Sequence, residues 1–534
     1  MSRIDLTAIR GRKGMNLAGA ILLALLVSLF LHIQSWQIAD LDNLYHFRHA
    51  WIYQTQGIFV SSFSWVQYSV IKDAGADLWY GFHLLLLPFT YIQNPVWGLK
   101  IASVVVTAAG ILLLFFALRR LEVRWPHFWT MVFLISSSAL FYRFSALRPQ
   151  LISFGLSFLF FSFFYRPTAG RYRNFLIFFL ISFFTAWIHS ALFWVNFVIF
   201  GTGSLVERFM GRKFRWPELW VIVGGTLAGF FLRPHPLQGL RLIYVQLIQN
   251  SLEEFKNTPL FWGTELLHFS GRDFIYQFLP IIFLLAAAIY FLIISFQKSG
   301  RGAADRNFKA QIWTAFALSA IFFWLAFASA RRSADYFFGF AIVVTALIST
   351  KLRQDKWKDF KGMIFSIGQP MFLLILVVII YMAGFSVYRY EYLLPKTYNP
   401  ERAKEAAEWL RDNSQAGDIV FHTRWDQFAE LFFWNQKNYY INGMDPIFMY
   451  VASPSFYWKQ HFFAWDQASA TTCGAMRCKE YEVEETYKVL KDDFRARYIY
   501  LQKERNLNFR QYLNSDPRFK KVFENNEDVI FSVD

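Results

Sequence analysis

The sequence predicts an α-helical polytopic membrane domain of about eleven transmembrane helices, followed by a C-terminal soluble α/β domain. Three observations carry this expectation. Of 534 residues, 55% are hydrophobic and 17% charged, against about 25% charged in ordinary soluble domains. Apolar runs recur from Leu17 onward, several near the roughly 20 residues that a bilayer core requires. From about Tyr390 the composition turns soluble. The net charge of +16 could point to nucleic acid, but the basic residues lie in short clusters between apolar runs. That distribution argues for membrane topology and against nucleic acid as a partner.

The first span is Leu17 to Trp36, with Arg3, Arg10, Arg12 and Lys13 before it. It is too long for the apolar region of a cleavable signal peptide, so the N-terminus is expected in the cytoplasm. Further spans are expected over 98–118, 128–142, 149–165, 174–187, 190–206, 217–232, 274–296, 309–328, 335–350 and 369–388. Leu78 to Ile92 is apolar but short, and it contains His83 and Pro88. If it does not cross, the clusters around Arg119, Arg171, Arg212, Arg301 and Lys356 all face the cytoplasm, as the positive-inside tendency demands. The stretch is therefore expected to lie at the outer surface. The same count needs a hairpin at Ile188-His189-Ser190.

This organisation gives a membrane domain over 1–389, with a first outer loop at 37–97, and an outer domain over 390–534. In the latter, Pro400 to Asn413 reads as a helix with proline at its start. Gly417 to Phe421 reads as a turn into a buried strand, Arg497 to Leu501 as another strand, and Asp528 to Val533 as a last edge strand. The only cysteines, Cys473 and Cys478, would form a disulfide in an oxidising compartment.

Chemistry is expected on the outer face. Asp40 and Asp42 stand just beyond the first span, in Asp40-Leu41-Asp42-Asn43-Leu44-Tyr45-His46-Phe47-Arg48-His49. If Asn43 onward is helical, Asp42, His46 and His49 share one face. A carboxylate there could deprotonate an acceptor hydroxyl or hold a divalent cation against a phosphate. Alternatively, it simply caps a helix N-terminus.

Asp42 to Arg48 resembles the D-P-Y-F-N-Y-R segment of oligosaccharyltransferase catalytic subunits. The loop also resembles first loops of the wider GT-C glycosyltransferases. The resemblance implies a GT-C-like membrane fold, a catalytic role for Asp42 with Asp40 beside it, and a polyprenyl-phosphate-linked sugar donor. The W-W-D-Y-G motif of oligosaccharyltransferases is absent, Arg424-Trp425-Asp426-Gln427-Phe428 being at best a remnant, which speaks against Asn-linked protein glycosylation.

Such a donor needs a phosphate clamp. Arg143 and Arg148, Arg331 and Arg332, and Arg233 with His235 sit at three expected outer turns, and Arg binds phosphate oxygens bidentately. Snorkelling to lipid headgroups is the competing explanation. His189 at the hairpin tip, His46, His235 and Glu265 are further candidates for substrate contact. Trp65, Tyr68, Trp79 and Tyr80 could line a sugar groove or form an interfacial belt.

The expected function is transfer of a sugar or glycan from a polyprenyl-phosphate or diphosphate carrier to a glycan, lipid or protein acceptor on the outer face of a bacterial inner membrane. A divalent cation, Mg or Mn, at Asp40 and Asp42 is the one cofactor considered. The alternatives are a transporter or flippase of lipid-linked glycans, or a non-catalytic membrane scaffold with an outer binding domain. A transporter would more typically place charged or broken segments near mid-membrane, whereas polar residues here gather at the outer ends of spans.

Overall fold

A computed structural model describes residues 6–60, 62–263, 269, 271–298, 306–328, 331–354, 369–393 and 398–534. The chain divides into two compact units. The first comprises Met1–Ser35, Lys100–Gly229 and Glu265–Lys396; the second comprises Trp36–Leu99, Phe230–Thr264 and Thr397–Asp534.

The first unit is helical. Among the described residues of the whole chain, six helices are long and apolar enough to cross a membrane: Pro95–Arg120, Ser190–Phe209, Gly271–Ile293, Arg306–Ala328, Ser333–Lys351 and Leu373–Tyr392. Leu17–Ile33 and Gln150–Tyr165 are shorter apolar helices. The chain is an integral membrane protein by these helices. Ten of the eleven expected spans coincide with one helix each. The exception is 128–142, which is two helices, Pro126–Leu134 and Ser138–Arg143. Three consecutive serines cause the break: Ser136 Oγ donates back to the Phe133 carbonyl, and Ser137 Oγ accepts from the Ala139 amide. Serine offers the backbone such local alternatives to helix bonds. The expected hairpin is present, with Arg171–Ile188 ending at His189 and Phe193–Phe209 following a short 3-10 turn.

The core of this unit is aromatic. Phe322 stacks on Tyr336 at 4.8 Å, and Phe158 lies 4.7 Å from Phe340. Glycines let backbones approach: a Cβ at Gly225 would press into the Phe179 carbonyl, and one at Gly229 into that of Phe183. Small residues serve close helix contact where lipid supplies no hydrophobic drive.

The second unit has a five-stranded sheet in the order β2-β1-β5-β7-β6. The strands are β1 (Ile419–His422), β2 (Tyr439–Tyr440), β5 (Ala496–Gln502), β6 (Phe519–Glu524) and β7 (Asp528–Val533), with β3 (Thr471–Cys473) and β4 (Val483–Glu485) forming a separate pair. β1 is parallel to β2 and β5, whereas β7 is antiparallel to β5 and β6. Two expectations are corrected here. β7 is not an edge strand: β6 covers its outer side, and its charged sequence Phe-Lys-Lys-Val-Phe-Glu suits an exposed edge. The helix expected from Pro400 begins at Lys404, after a turn, and runs to Asn413.

The first loop belongs to this same unit. Ile38 pairs with Tyr398, and Val66 with Tyr440, so the loop extends the sheet beyond β2. The helix Asp42–Gln56 lays Tyr45 and Phe47 against Phe428, Phe432 and Phe433 of Gln427–Trp434. Leu78 to Ile92 is a seven-residue helix, Tyr80–Leu86, continued by a 3-10 turn to Tyr91, too short to span a bilayer. Cys473 and Cys478 are joined as expected, with Cα atoms 6.2 Å apart.

Candidate functional site

The helix carrying the candidate acids begins at Asp42, and the Asp40 Oδ1 accepts the Asp42 backbone N–H at 3.0 Å. Asp40 thus serves one of the open amides at a helix start, and both acids are half-buried. They suit a magnesium-type ion in one respect, since such ions take one or two carboxylates and complete their shell with substrate phosphate.

One turn further, the same helix enters a buried network that the sequence did not reveal. His46 Nδ1 lies 2.8 Å from His83 Nε2, and His83 Nδ1 lies 2.6 Å from Asp77 Oδ2. The Tyr53 hydroxyl donates to the same oxygen at 2.7 Å, while Asp77 Oδ1 accepts the Trp79 amide at 2.9 Å. His49 Nδ1 meets the Tyr45 hydroxyl at 2.9 Å, and its Nε2 is 3.7 Å from Asp77 Oδ2. All of these residues are buried. The signal was available but weak: His83 interrupts the apolar stretch Leu78 to Ile92, and Asp77 stands immediately before it.

Burial alone would push the Asp77 carboxyl up, but His83 and the hydrogen bonds from His83 and Tyr53 outweigh that and hold it well below the usual carboxylate range. An ionised Asp77 requires a proton on His83 Nδ1. With a neutral ring, His83 Nε2 then accepts from His46 Nδ1–H, which leaves the His46 lone pair on Nε2. The tautomers are thus set by the carboxylate at the end of the chain. Burial drives His49 down to about 3, so it is neutral.

His49, Asp77 and His83 offer ligand atoms within 4.8 Å of one another. Their geometry nevertheless favours the hydrogen-bonded arrangement. The His49 and His83 rings stack at 4.2 Å and 18°, so their in-plane lone pairs run side by side rather than converging on one ion. Arg233 joins the network, its guanidinium donating to the Asp77 and Leu78 carbonyls at 3.3 and 3.4 Å.

The remaining candidates fall elsewhere. Arg143, Arg148, Arg331 and Arg332 are in the first unit. Arg143 ion-pairs with Asp335 at 3.3 Å and shares with Arg332 and Gln150 a pocket of about 20 Å³, room for a water or two. Arg331 pairs with Asp273 at 3.4 Å and lies over the Phe269 ring. The acids Asp335 and Asp273 thus offset the charge of Arg143 and Arg331. Arg148 is half-buried in the turn before Gln150–Tyr165. His189 is buried, with Nδ1 3.2 Å from Ser153 Oγ. His235 takes a left-handed backbone just ahead of Pro236–Tyr244. Glu265 lies outside the described residues. Of the aromatics, Trp65 donates to the Gln436 carbonyl and the Tyr68 hydroxyl to that of Asp493, while Trp79 and Tyr80 pack around His46 and Tyr53.

No protein-family model matches the chain, and no curated protein matches its sequence. Solved structures do match. ArnT from Cupriavidus metallidurans in the apo state is 10% identical over 98% of both chains, with a TM-score of 0.53. The same protein bound to undecaprenyl phosphate gives 10% identity over 97% of both chains and a TM-score of 0.54. The arabinofuranosyltransferase AftD from Mycobacteria is 12% identical over 97% of this chain and 41% of its own, with a TM-score of 0.55. The chain therefore has the fold of ArnT and of the matched part of AftD, the GT-C fold that the first-loop resemblance implied.

Proposed function

We propose that this protein transfers a sugar from a polyprenyl-phosphate carrier to an acceptor on the outer face of a bacterial inner membrane. The observation that carries the reading is likeness along nearly the whole chain to a protein solved with undecaprenyl phosphate, joined to an acid placed directly after the first helix. In this reading the N-terminus is cytoplasmic and the 390–534 region periplasmic, which keeps the short basic loops inside.

An acceptor hydroxyl attacks the anomeric carbon, Asp42 takes its proton, and the bond from that carbon to the carrier phosphate breaks. Asp40 orients the start of the helix through its bond to the Asp42 amide. If Asp42 instead acts as a metal carboxylate, it and Asp40 would hold a divalent cation, Mg or Mn, which would neutralise charge on the leaving phosphate. Within the first unit, Arg143, Arg148, Arg331 and Arg332 are proposed to contact a lipid phosphate. Arg233 is given the different task of bracing the Asp77 loop. The network from Asp77 through His83 fixes the orientation and tautomer of His46, four residues beyond Asp42 on the same helix.

The test is sugar release from a panel of undecaprenyl-phosphate monosaccharides by the purified protein in nanodiscs. Asp42→Asn keeps the shape and removes the base, so turnover should fall about 100-fold or more. Release from none of the donors, or equal release by the variant, would overturn the proposal.

A further inference from the structure

We propose that the cleft lined by Leu41, Tyr398, Arg402, Gln427, Glu430 and Glu504 binds an uncharged saccharide. All of these residues belong to the second unit, and the cleft holds about 210 Å³. Leu41 is the residue between the two candidate acids, so the cleft opens beside them.

The observation that points to a ligand is Gln427. This residue is 1% exposed, and its Oε1 accepts the Arg424 amide at 3.1 Å and the Thr423 hydroxyl at 3.4 Å. Because a backbone N–H demands an oxygen, the amide cannot be turned round. Its Nε2 is left buried, with no hydrogen-bond partner among the described residues. A buried donor without an acceptor is unfavourable, and an acceptor oxygen brought by a ligand would relieve it. A cation cannot satisfy an amide N–H.

The rest of the cleft defines the kind of oxygen. Its lining includes four acids (Asp426, Glu430, Glu504 and Glu527) and two arginines (Arg402 and Arg505). That excess of negative charge disfavours a phosphate. Glu430 is buried and pushed up to about 7, by its burial and then by Asp426 and Asp528, against the pull of Arg402. Near neutrality it can donate or accept, as a hydroxyl partner requires. Tyr398 is 40% exposed and offers an apolar ring face at the rim. Acids, an amide donor and a guanidinium around a half-exposed ring suit the alternating donors, acceptors and C–H faces of a sugar. If the transfer reaction holds, the saccharide is the acceptor; only that identity, not the binding, rests on the proposed function.

Saturation-transfer NMR on the full-length protein in nanodiscs tests this with uncharged trisaccharides of glucose, galactose, mannose and N-acetylglucosamine, and with inorganic phosphate as a competitor. At least one trisaccharide should bind without being displaced by phosphate. Gln427→Glu keeps the accepting oxygen and loses the donor, so affinity should fall at least tenfold. Tyr398→Leu should weaken it as well. Binding of none of the four, displacement by phosphate, or parental affinity in Gln427→Glu overturns the proposal. Should Gln427→Glu fail to fold, parental affinity in Tyr398→Leu overturns it instead. Sugar release from the carrier without trisaccharide binding would sink the cleft assignment alone. Trisaccharide binding without release from any carrier would sink the transfer reaction alone.

Discussion

Replacing Asp77 by Asn changes one oxygen to an NH2 group at the end of the histidine chain. The Trp79 amide, 2.9 Å from Oδ1, keeps its acceptor. At the other oxygen, the Tyr53 hydroxyl and His83 Nδ1 lose an anionic acceptor at 2.7 and 2.6 Å. Each charged hydrogen bond contributes about 1.5–3 kcal/mol, so the uncompensated loss would be about 3–6 kcal/mol. The chain can respond, however. His83 can move its proton to Nε2, accept from the new amide at Nδ1, and donate to His46, which must then carry its own proton on Nε2. One neutral bond is recovered, at about 1 kcal/mol, which leaves an expected loss of about 2–5 kcal/mol. Thermal unfolding of the detergent-purified protein would measure it, and nitrogen-15 histidine spectra would report the tautomer of His46. A double-mutant cycle with His83→Gln should give a coupling of about 0.5–3 kcal/mol. Additive effects, or an unchanged His46 tautomer in Asp77→Asn, would refute the chain of hydrogen bonds described here.

Two other predictions follow from the packing. Folded His49 refuses the proton that the unfolded chain takes near pH 6.5, since burial holds it down to about 3. Stability should therefore decline as pH falls below about 6.5, by up to about 1.4 kcal/mol per unit. His49→Phe preserves the stack on Phe63 at 5.0 Å and should remove this part of the slope; parallel pH profiles of parent and variant would contradict it. Gly225→Ala forces a methyl group against the Phe179 carbonyl and should destabilise the protein by about 1–3 kcal/mol, as overpacking does. Its unfolding temperature in detergent checks this, and a value equal to the parent's would mean that the two helices separate at no cost.

The sequence by itself determined the membrane character, the position of most apolar helices, the break at His189, strands within 417–421 and 497–501, and the disulfide. These depend on local properties, namely length, apolarity, turn residues and the presence of just two cysteines. It also singled out Asp42, because the end of the first helix is visible in the chain. What it could not provide was the company those residues keep. Asp77 and His83 reach His46 across more than thirty positions, Asp335 and Asp273 meet their arginines through helix packing, and Tyr398 and Gln427 join Leu41 from the far end of the chain. The boundary at Tyr390 marks where composition changes, whereas the compact unit also takes in the first loop, because strand pairing at Ile38 and Val66 ties that loop to the C-terminal region. Composition is summed over neighbours in sequence. Hydrogen bonds, ion pairs and the orphaned Gln427 donor depend on neighbours in space, and only the tertiary structure decided those.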